Sequence, residues 1–162
     1  DSKRFGSDKS QASIAGNTML SIIKSQLDSS ELIEVGSEVK GGPVAAINSA
    51  IKKVDSELVA IFATDMPFAP RVLPQLLKSL INDAAIPIDS DGYLQPLAGV
   101  YRTEKLRTAL DTLGDLENTS VKELISKLNI DHVSLDETEF LLDIDSKEDL
   151  AKAIDLASRL AQ

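Results

Sequence analysis

Leu58–Thr64 (LVAIFAT) is a continuous apolar run that stops at Asp65-Met66-Pro67. A run of that kind predicts a strand covered on both faces, as in a parallel sheet. Just beyond it, Val72, Leu73, Leu76, Leu77, Leu80 and Ile81 recur with a period of about 3.6 and predict a helix with one apolar stripe. Upstream, Gly41-Gly42-Pro43 leads into a predicted helix over Val44–Val54, with Pro43 suited to its first position. An earlier helix is predicted from about Thr18 to Leu27, and a short strand at Leu32–Val35. Past Ile81 the pattern predicts a strand at Ala85–Ile88, a turn at Asp91-Gly92 and a second strand over Tyr93–Tyr101. Amphipathic helices follow at Glu104–Leu113 and Val121–Leu128, then strands at His132–Leu135 and Phe140–Ile144. A terminal helix starts at Lys147, capped by Ser146 with Asp149 three residues on.

Helices and strands in alternation indicate α/β architecture with a mainly parallel sheet, and nothing divides residues 1–162 into more than one domain. One feature departs from that plan. The chain opens in a polar loop (DSKRFGSDKSQ) with no strand before its first helix, whereas a doubly wound sheet needs a strand feeding its first loop. The pattern therefore predicts residues missing before Asp1, and a further piece between Ser29 and Gly42.

Composition narrows the chemistry. The 43% apolar content argues against disorder, and no run approaches the ~20 residues of a membrane span. No signal peptide is evident. Without cysteine there is no disulfide, no thiolate metal site and no cysteine nucleophile, and one histidine excludes a multi-histidine metal site. A cytoplasmic protein fits this usage. Net charge is −9, and residues 131–149 hold eight acidic side chains against one lysine. An acidic chain without interleaved basic and aromatic residues is a poor nucleic-acid binder. The first nine residues carry a small cationic excess in Lys3, Arg4 and Lys9.

Three constellations can carry chemistry. In Ser2-Lys3-Arg4-Phe5-Gly6-Ser7-Asp8-Lys9, a glycine in a cationic loop can wrap a polyphosphate, or the loop is simply solvated. Asp65 follows a strand at the sheet edge where open α/β folds bind ligands; it either holds Mg²⁺ or caps the next helix. In Asp143-Ile144-Asp145, alternation sends both carboxylates to one side, where a cation would relieve their repulsion; the alternative is solvation beside a helix start. Gln95-Pro96-Leu97 adds an amide able to read a ligand edge. His132 is expected to be a surface or packing residue.

Taken together and in order, these segments resemble a known family. Ser2-x-Arg4-Phe5-Gly6-x-Asp8-Lys9 looks like the second half of the nucleotide-binding signature of MobA-like nucleotidyltransferases, LAGG-x-S-x-R-(M/F)-G-x-D-K. Gly42-Pro43-Val44-Ala45-Ala46 is similar to that family's GP-(L/V)-A-(G/A) turn. Ala63-Thr64-Asp65-Met66-Pro67-Phe68 resembles its C-D-M-P-F step, and Gln95-Pro96-Leu97 with Val100-Tyr101-Arg102 its Q-P-L…Y-R segment. Leu142 to Leu150 (LDIDSKEDL) is similar to N-(V/I)-N-T-P-E-D-L.

The resemblance implies a Rossmann-like, three-layer nucleotidyltransferase fold and Mg²⁺-dependent transfer of GMP from GTP to molybdopterin, with release of pyrophosphate. It implies that Arg4, Lys9 and Asp65 are catalytic, and that Ser2, Gly6, Gly42 and Pro43 join them around the nucleotide. Gln95, Asp143 and Asp145 would face the acceptor, and Asp65 with Asp145 the metal. Transient contact with proteins that mature molybdoenzymes is a further implication. The LAGG half of the loop has no counterpart here, and both Asn of N-x-N are Asp, so guanine preference is less secured than nucleotidyl transfer. CTP as donor, another phosphorylated acceptor, or a non-catalytic nucleotide-binding relative are the alternatives. A phosphoacceptor receiver domain fits less well, because receivers use D-x-x-M-P whereas Met66 directly follows Asp65.

Overall fold

A computed structural model describes residues 13–27, 32–36 and 38–162. The chain forms β1 (Ser13–Ile14), β2 (Asn17–Thr18), α1 (Met19–Gln26), α2 (Gly42–Ile51), β3 (Leu58–Phe62), α3 (Leu73–Ser79), β4 (Ala84–Ile88) and β5 (Ala98–Arg102). It continues through α4 (Thr103–Asp111), α5 (Val121–Ile125), β6 (Ile130–Ser134) and α6 (Lys147–Leu160), with 3₁₀ turns at Ala69–Val72 and Thr138–Leu141. β1 and β2 make a small separate hairpin. Its two loop residues, Ala15 and Gly16, both have positive φ (51° and 82°), the combination whose twist matches a tight hairpin.

The main sheet has the order β3-β5-β4-β6. β3, β4 and β6 run in one direction; β5 alone is reversed and pairs antiparallel with both neighbours. Helices cover both faces, which gives three layers. On one face, Val44, Ile47 and Ile51 of α2 pack with Leu106 and Leu110 of α4, Leu124 of α5, and the strand residues Ala84, Ile86 and Tyr101. On the other, Val72 and Leu76 pack against Ala85, Ala98, Val100 and Val133. A third cluster joins Ile14, Met19 and Phe68 to Ile144, Ala153 and Leu156.

Several sequence expectations hold. α1 forms at Met19–Gln26 within the expected Thr18–Leu27, Ser146 caps α6 by accepting from the Asp149 N–H at 3.1 Å, and Pro43 lies in the first turn of α2. Others need correction. Leu32–Val35 forms no strand. β3 touches both core clusters through Val59 and Ile61 on one side and Leu58 and Phe62 on the other, but it is half-buried, since it lies at the sheet edge among the described residues. The apolar stripe overshoots its helix: α3 ends at Ser79, and Ile81 beyond it is 79% exposed, while Leu77 within the helix is exposed as well. The strand expected over Tyr93–Tyr101 is regular only from Ala98. Pro96 has no N–H to offer a ladder, and the N–H groups of Asp91 and Tyr93 turn to the Asp89 carboxylate at 2.9 and 2.8 Å. Phe140–Ile144 is likewise no strand but a 3₁₀ turn followed by extended chain.

Gly41 precedes α2 at φ +104°, where a Cβ would stand 3.0 Å from the Ala45 Cβ and 3.1 Å from the Glu117 Cγ. Gly41→Ala is expected to cost about 1–2 kcal/mol in chemical denaturation, because both the left-handed backbone and the contact oppose it. Gly42 is also left-handed at φ +81°, but it faces open space, so Gly42→Ala should cost less.

At the amino ends of β4 and β6, the Asp131 carboxylate accepts from the N–H groups of Ile81 and Asn82, both at 2.7 Å, and from the Asn82 amide at 2.6 Å. Burial alone would raise its pKa; these bonds and the Arg102 charge outweigh it and hold the group below the usual carboxylate range. A depressed folded pKa contributes stability that is present above the unfolded value and is lost as pH falls through the folded one. The melting temperature should therefore drop below about pH 4. In Asp131→Asn that acid-dependent portion should be smaller, as measured by melting curves from neutral to acid pH.

Candidate active site at the carboxyl end of the sheet

Asp65 lies in the turn after β3, at the end of the sheet where open α/β folds bind ligands. Backbone bonds fix this turn from two sides. The Ala63 N–H donates to the Leu97 carbonyl at 2.8 Å, which joins the Asp65 turn to the Gln95-Pro96-Leu97 segment. The Ile144 N–H donates to the Asp65 carbonyl at 2.9 Å, which joins it to the segment before α6. Between these anchors, Met66 and Phe68 are buried and Asp65 is half-buried. The 3₁₀ turn that follows starts after Phe68, whose own side chain caps nothing.

Ile144 explains how its neighbours are placed. Its side chain is 0% exposed and packs with Phe68, Ala153 and Leu156. In extended chain, flanking side chains point the opposite way from a buried one, so Asp143 and Asp145 both emerge exposed. One carboxylate oxygen from each of Asp65, Asp143 and Asp145 then falls within 4.8 Å of the others. Mg²⁺ takes one or two carboxylates and leaves its remaining positions to water and phosphate, so two of these three hard oxygen donors suffice, with the third alongside. The donor set fits that ion, and a divalent cation would offset the repulsion among three like charges.

The other expected site residues are placed as follows. Gln95 lies beyond the Asp91-Gly92 turn with its amide N–H on the Asp89 carboxylate at 2.7 Å. Gly42 and Pro43 open α2, whose first turn has neither a side-chain cap nor an acidic residue. The opposite end of that helix is anchored by Arg107, which donates to the Ile51 carbonyl at 3.0 Å. Ser2, Arg4, Gly6 and Lys9 lie outside the described residues. His132 is exposed on β6. Beside Asp143, an open cleft of about 750 Å³ runs between the Asp89–Gln95 turn and α6, with Lys152, Asp155 and Arg159 on its far wall. Asp89 and Ile144 were not marked by the sequence reading. The Asp89-Ser90-Asp91-Gly92 turn signature could have flagged the first.

Comparison with known proteins decides the family. The family model for the MobA-like NTP transferase domain matches residues 1–133. The chain belongs to the MobA-like NTP transferase family. That match sets aside the receiver-domain alternative. A relative from Bacillus subtilis strain 168, described as a probable molybdenum cofactor guanylyltransferase, is 32% identical over 95 residues. The aligned segment is 57% of this chain and 47% of that relative, so the chain spans about half of its length. Among solved structures, molybdopterin-guanine dinucleotide biosynthesis protein A from Archaeoglobus fulgidus superposes with a TM-score of 0.74 at 18% identity, covering 98% of this chain and 94% of that one. The 2-C-methyl-D-erythritol 4-phosphate cytidylyltransferase from Thermus thermophilus gives 0.63, also at 18% identity, covering 93% and 94%. Both likenesses establish the fold, the three-layer nucleotidyltransferase arrangement expected from the sequence. Among the described residues, no helix is long and apolar enough to cross a membrane.

Proposed function

We propose that this domain transfers GMP from GTP to the terminal phosphate of molybdopterin and releases pyrophosphate. The observation that carries the reading is the convergence of Asp65, Asp143 and Asp145 within a MobA-like NTP transferase domain. The new bond joins an oxygen of the acceptor phosphate to the α-phosphorus of GTP. The bond between that phosphorus and the oxygen bridging to the β-phosphate breaks, and pyrophosphate carries away the electron pair. The nucleophile is already anionic, so no side chain must first remove a proton from it. The protein's task is to hold two anions in line and to stabilise charge as it redistributes.

In this reading Asp65 and Asp145 are the residues that hold Mg²⁺, with Asp143 alongside. When bound, the ion supplies positive charge at the transferring phosphoryl group and the leaving pyrophosphate. Arg4 and Lys9 hold the triphosphate, with Ser2 and Gly6 shaping their loop. Gly42 and Pro43 form a wall near the nucleoside, and Gln95, Asp143 and Asp145 face the acceptor. The relatives' names support a pterin acceptor and guanine donor, and they motivate the suggestion of brief contact with molybdoenzyme maturation proteins in the cytoplasm. No nucleic-acid or membrane partner enters this reading.

A competition assay tests donor choice: pyrophosphate release from GTP, with molybdopterin present, should resist excess CTP. Efficient release from CTP in place of GTP would move the activity to cytidylyl transfer. Lys9→Ala should weaken GTP binding while leaving guanosine binding unchanged, since a charge-assisted contact to phosphate is worth about 1.5–3 kcal/mol. Equal losses for GTP and guanosine in calorimetric titration would remove Lys9 from the phosphate site.

A further inference from the structure

The cleft beside Asp143 is a poor bed for an anion. Five carboxylates line it against two cations, and both cations are engaged. Arg159 donates to both Glu139 oxygens at 2.8 and 3.2 Å, and Lys152 pairs with Glu148 at 2.8 Å. If the acceptor's phosphate lies at the three aspartates, the part of the acceptor in this cleft must carry no negative charge and is best served by N–H donors. That step rests on the reading above, in which the cleft belongs to the acceptor.

One wall of the cleft is built to present a hydrogen-bond acceptor. The Gln95 backbone is fixed, its N–H donating to the Pro87 carbonyl at 2.9 Å and its carbonyl accepting from the Ala98 N–H at 3.0 Å. The next carbonyl, that of Pro96, accepts from the buried Tyr101 hydroxyl at 2.6 Å. The Gln95 amide nitrogen donates to Asp89 Oδ2 at 2.7 Å, while Asp89 Oδ1 is held by the Asp91 and Tyr93 N–H groups. Turning the amide over would set Gln95 Oε1 against a carboxylate oxygen, acceptor against acceptor. The amide is therefore locked with Oε1 as its accepting atom. We propose that Asp89 is a positioning residue that fixes the polarity of Gln95, so that the cleft selects an acceptor whose heterocycle presents N–H donors.

Fluorescence titration with pterin tests this, with 1,3-dimethyllumazine, a pteridine of similar shape that carries no N–H donor, as the control. Wild type should bind pterin more tightly than dimethyllumazine. Asp89→Asn keeps Oδ1 on the two backbone N–H groups and turns an NH₂ toward Gln95, which forces the amide over. Pterin affinity should fall about tenfold with GTP affinity unchanged, and the melting temperature should fall only modestly, since the backbone N–H bonds to Oδ1 are kept. Combining Asp89→Asn with Gln95→Glu restores an accepting oxygen opposite the introduced NH₂ and should recover affinity to within about threefold. Unchanged pterin affinity in Asp89→Asn, equal binding of the two ligands by wild type, or no recovery in the double variant would overturn the proposal. So would an equal loss of GTP affinity. These titrations need no turnover, so failure of GMP transfer would be read separately from failure of this inference.

Discussion

Asp65→Asn should reduce Mg²⁺-dependent pyrophosphate release by about a hundredfold or more while shifting unfolding free energy by less than about 0.5 kcal/mol. The substitution preserves shape and removes one charge. The Asp65 turn is held by backbone bonds from Ile144 and to Leu97 that do not involve its side chain. Loss of charge is therefore expected to act chiefly on the cation, since those backbone bonds remain in the variant. Asp143→Asn and Asp145→Asn install the residue commoner in the family's N-x-N block, so their effects should be milder. Steady-state release assays across a Mg²⁺ titration, paired with denaturation curves, separate the cases. Full turnover in Asp65→Asn would remove Asp65 from the metal site.

Ile144→Ala is expected to combine two losses. Its side chain is 0% exposed at the centre of the cluster with Phe68, Ala153 and Leu156, and truncation there should cost about 3 kcal/mol. The same side chain is what turns Asp143 and Asp145 toward Asp65, so Mn²⁺ affinity, measured in place of Mg²⁺, should fall as well. Leu156→Ala supplies the comparison: it empties the same cluster from α6 without loosening the Asp143–Asp145 segment. Similar destabilisation with unequal Mn²⁺ affinity is the expected pattern. Equal affinity in the two variants would show that Ile144 contributes packing alone.

Much of this was legible in the sequence where local chemistry and tertiary demand agree. The period of α6 and its Ser146 cap, the Pro43 start of α2, and the apolar run of β3 each carry their own physical signal, and each element forms close to where it was expected. Legibility failed where a neighbouring group intercepted the backbone. Of the ladder expected over Tyr93–Leu97 only the pairing of Leu94 with Ile88 forms, because the Asp89 carboxylate takes the Tyr93 N–H and Pro96 has none to offer, an interaction that no periodicity encodes. The α3 stripe overran because Ile81 is apolar in character yet lies past the end of the helix, exposed to solvent. Asp143 and Asp145 were readable as a pair from alternation alone, but their meeting with Asp65 depends on the Ile144–Asp65 backbone bond between distant parts of the chain, which only the folded structure supplies. Asp89 was missed because a lone Asp before a turn looks the same whether it merely closes the turn or also orients Gln95.

The most direct measurement follows the α-phosphate itself. Incubated with molybdopterin, Mg²⁺ and GTP labelled at the α-phosphorus, the protein is expected to move label onto molybdopterin, with one pyrophosphate released for each label transferred. Chelation of the metal should abolish the transfer, and so should Asp65→Asn. Tight GTP binding with label remaining in GTP, or transfer unaffected by chelation, would contradict a metal-assisted guanylyltransferase built on Asp65, Asp143 and Asp145.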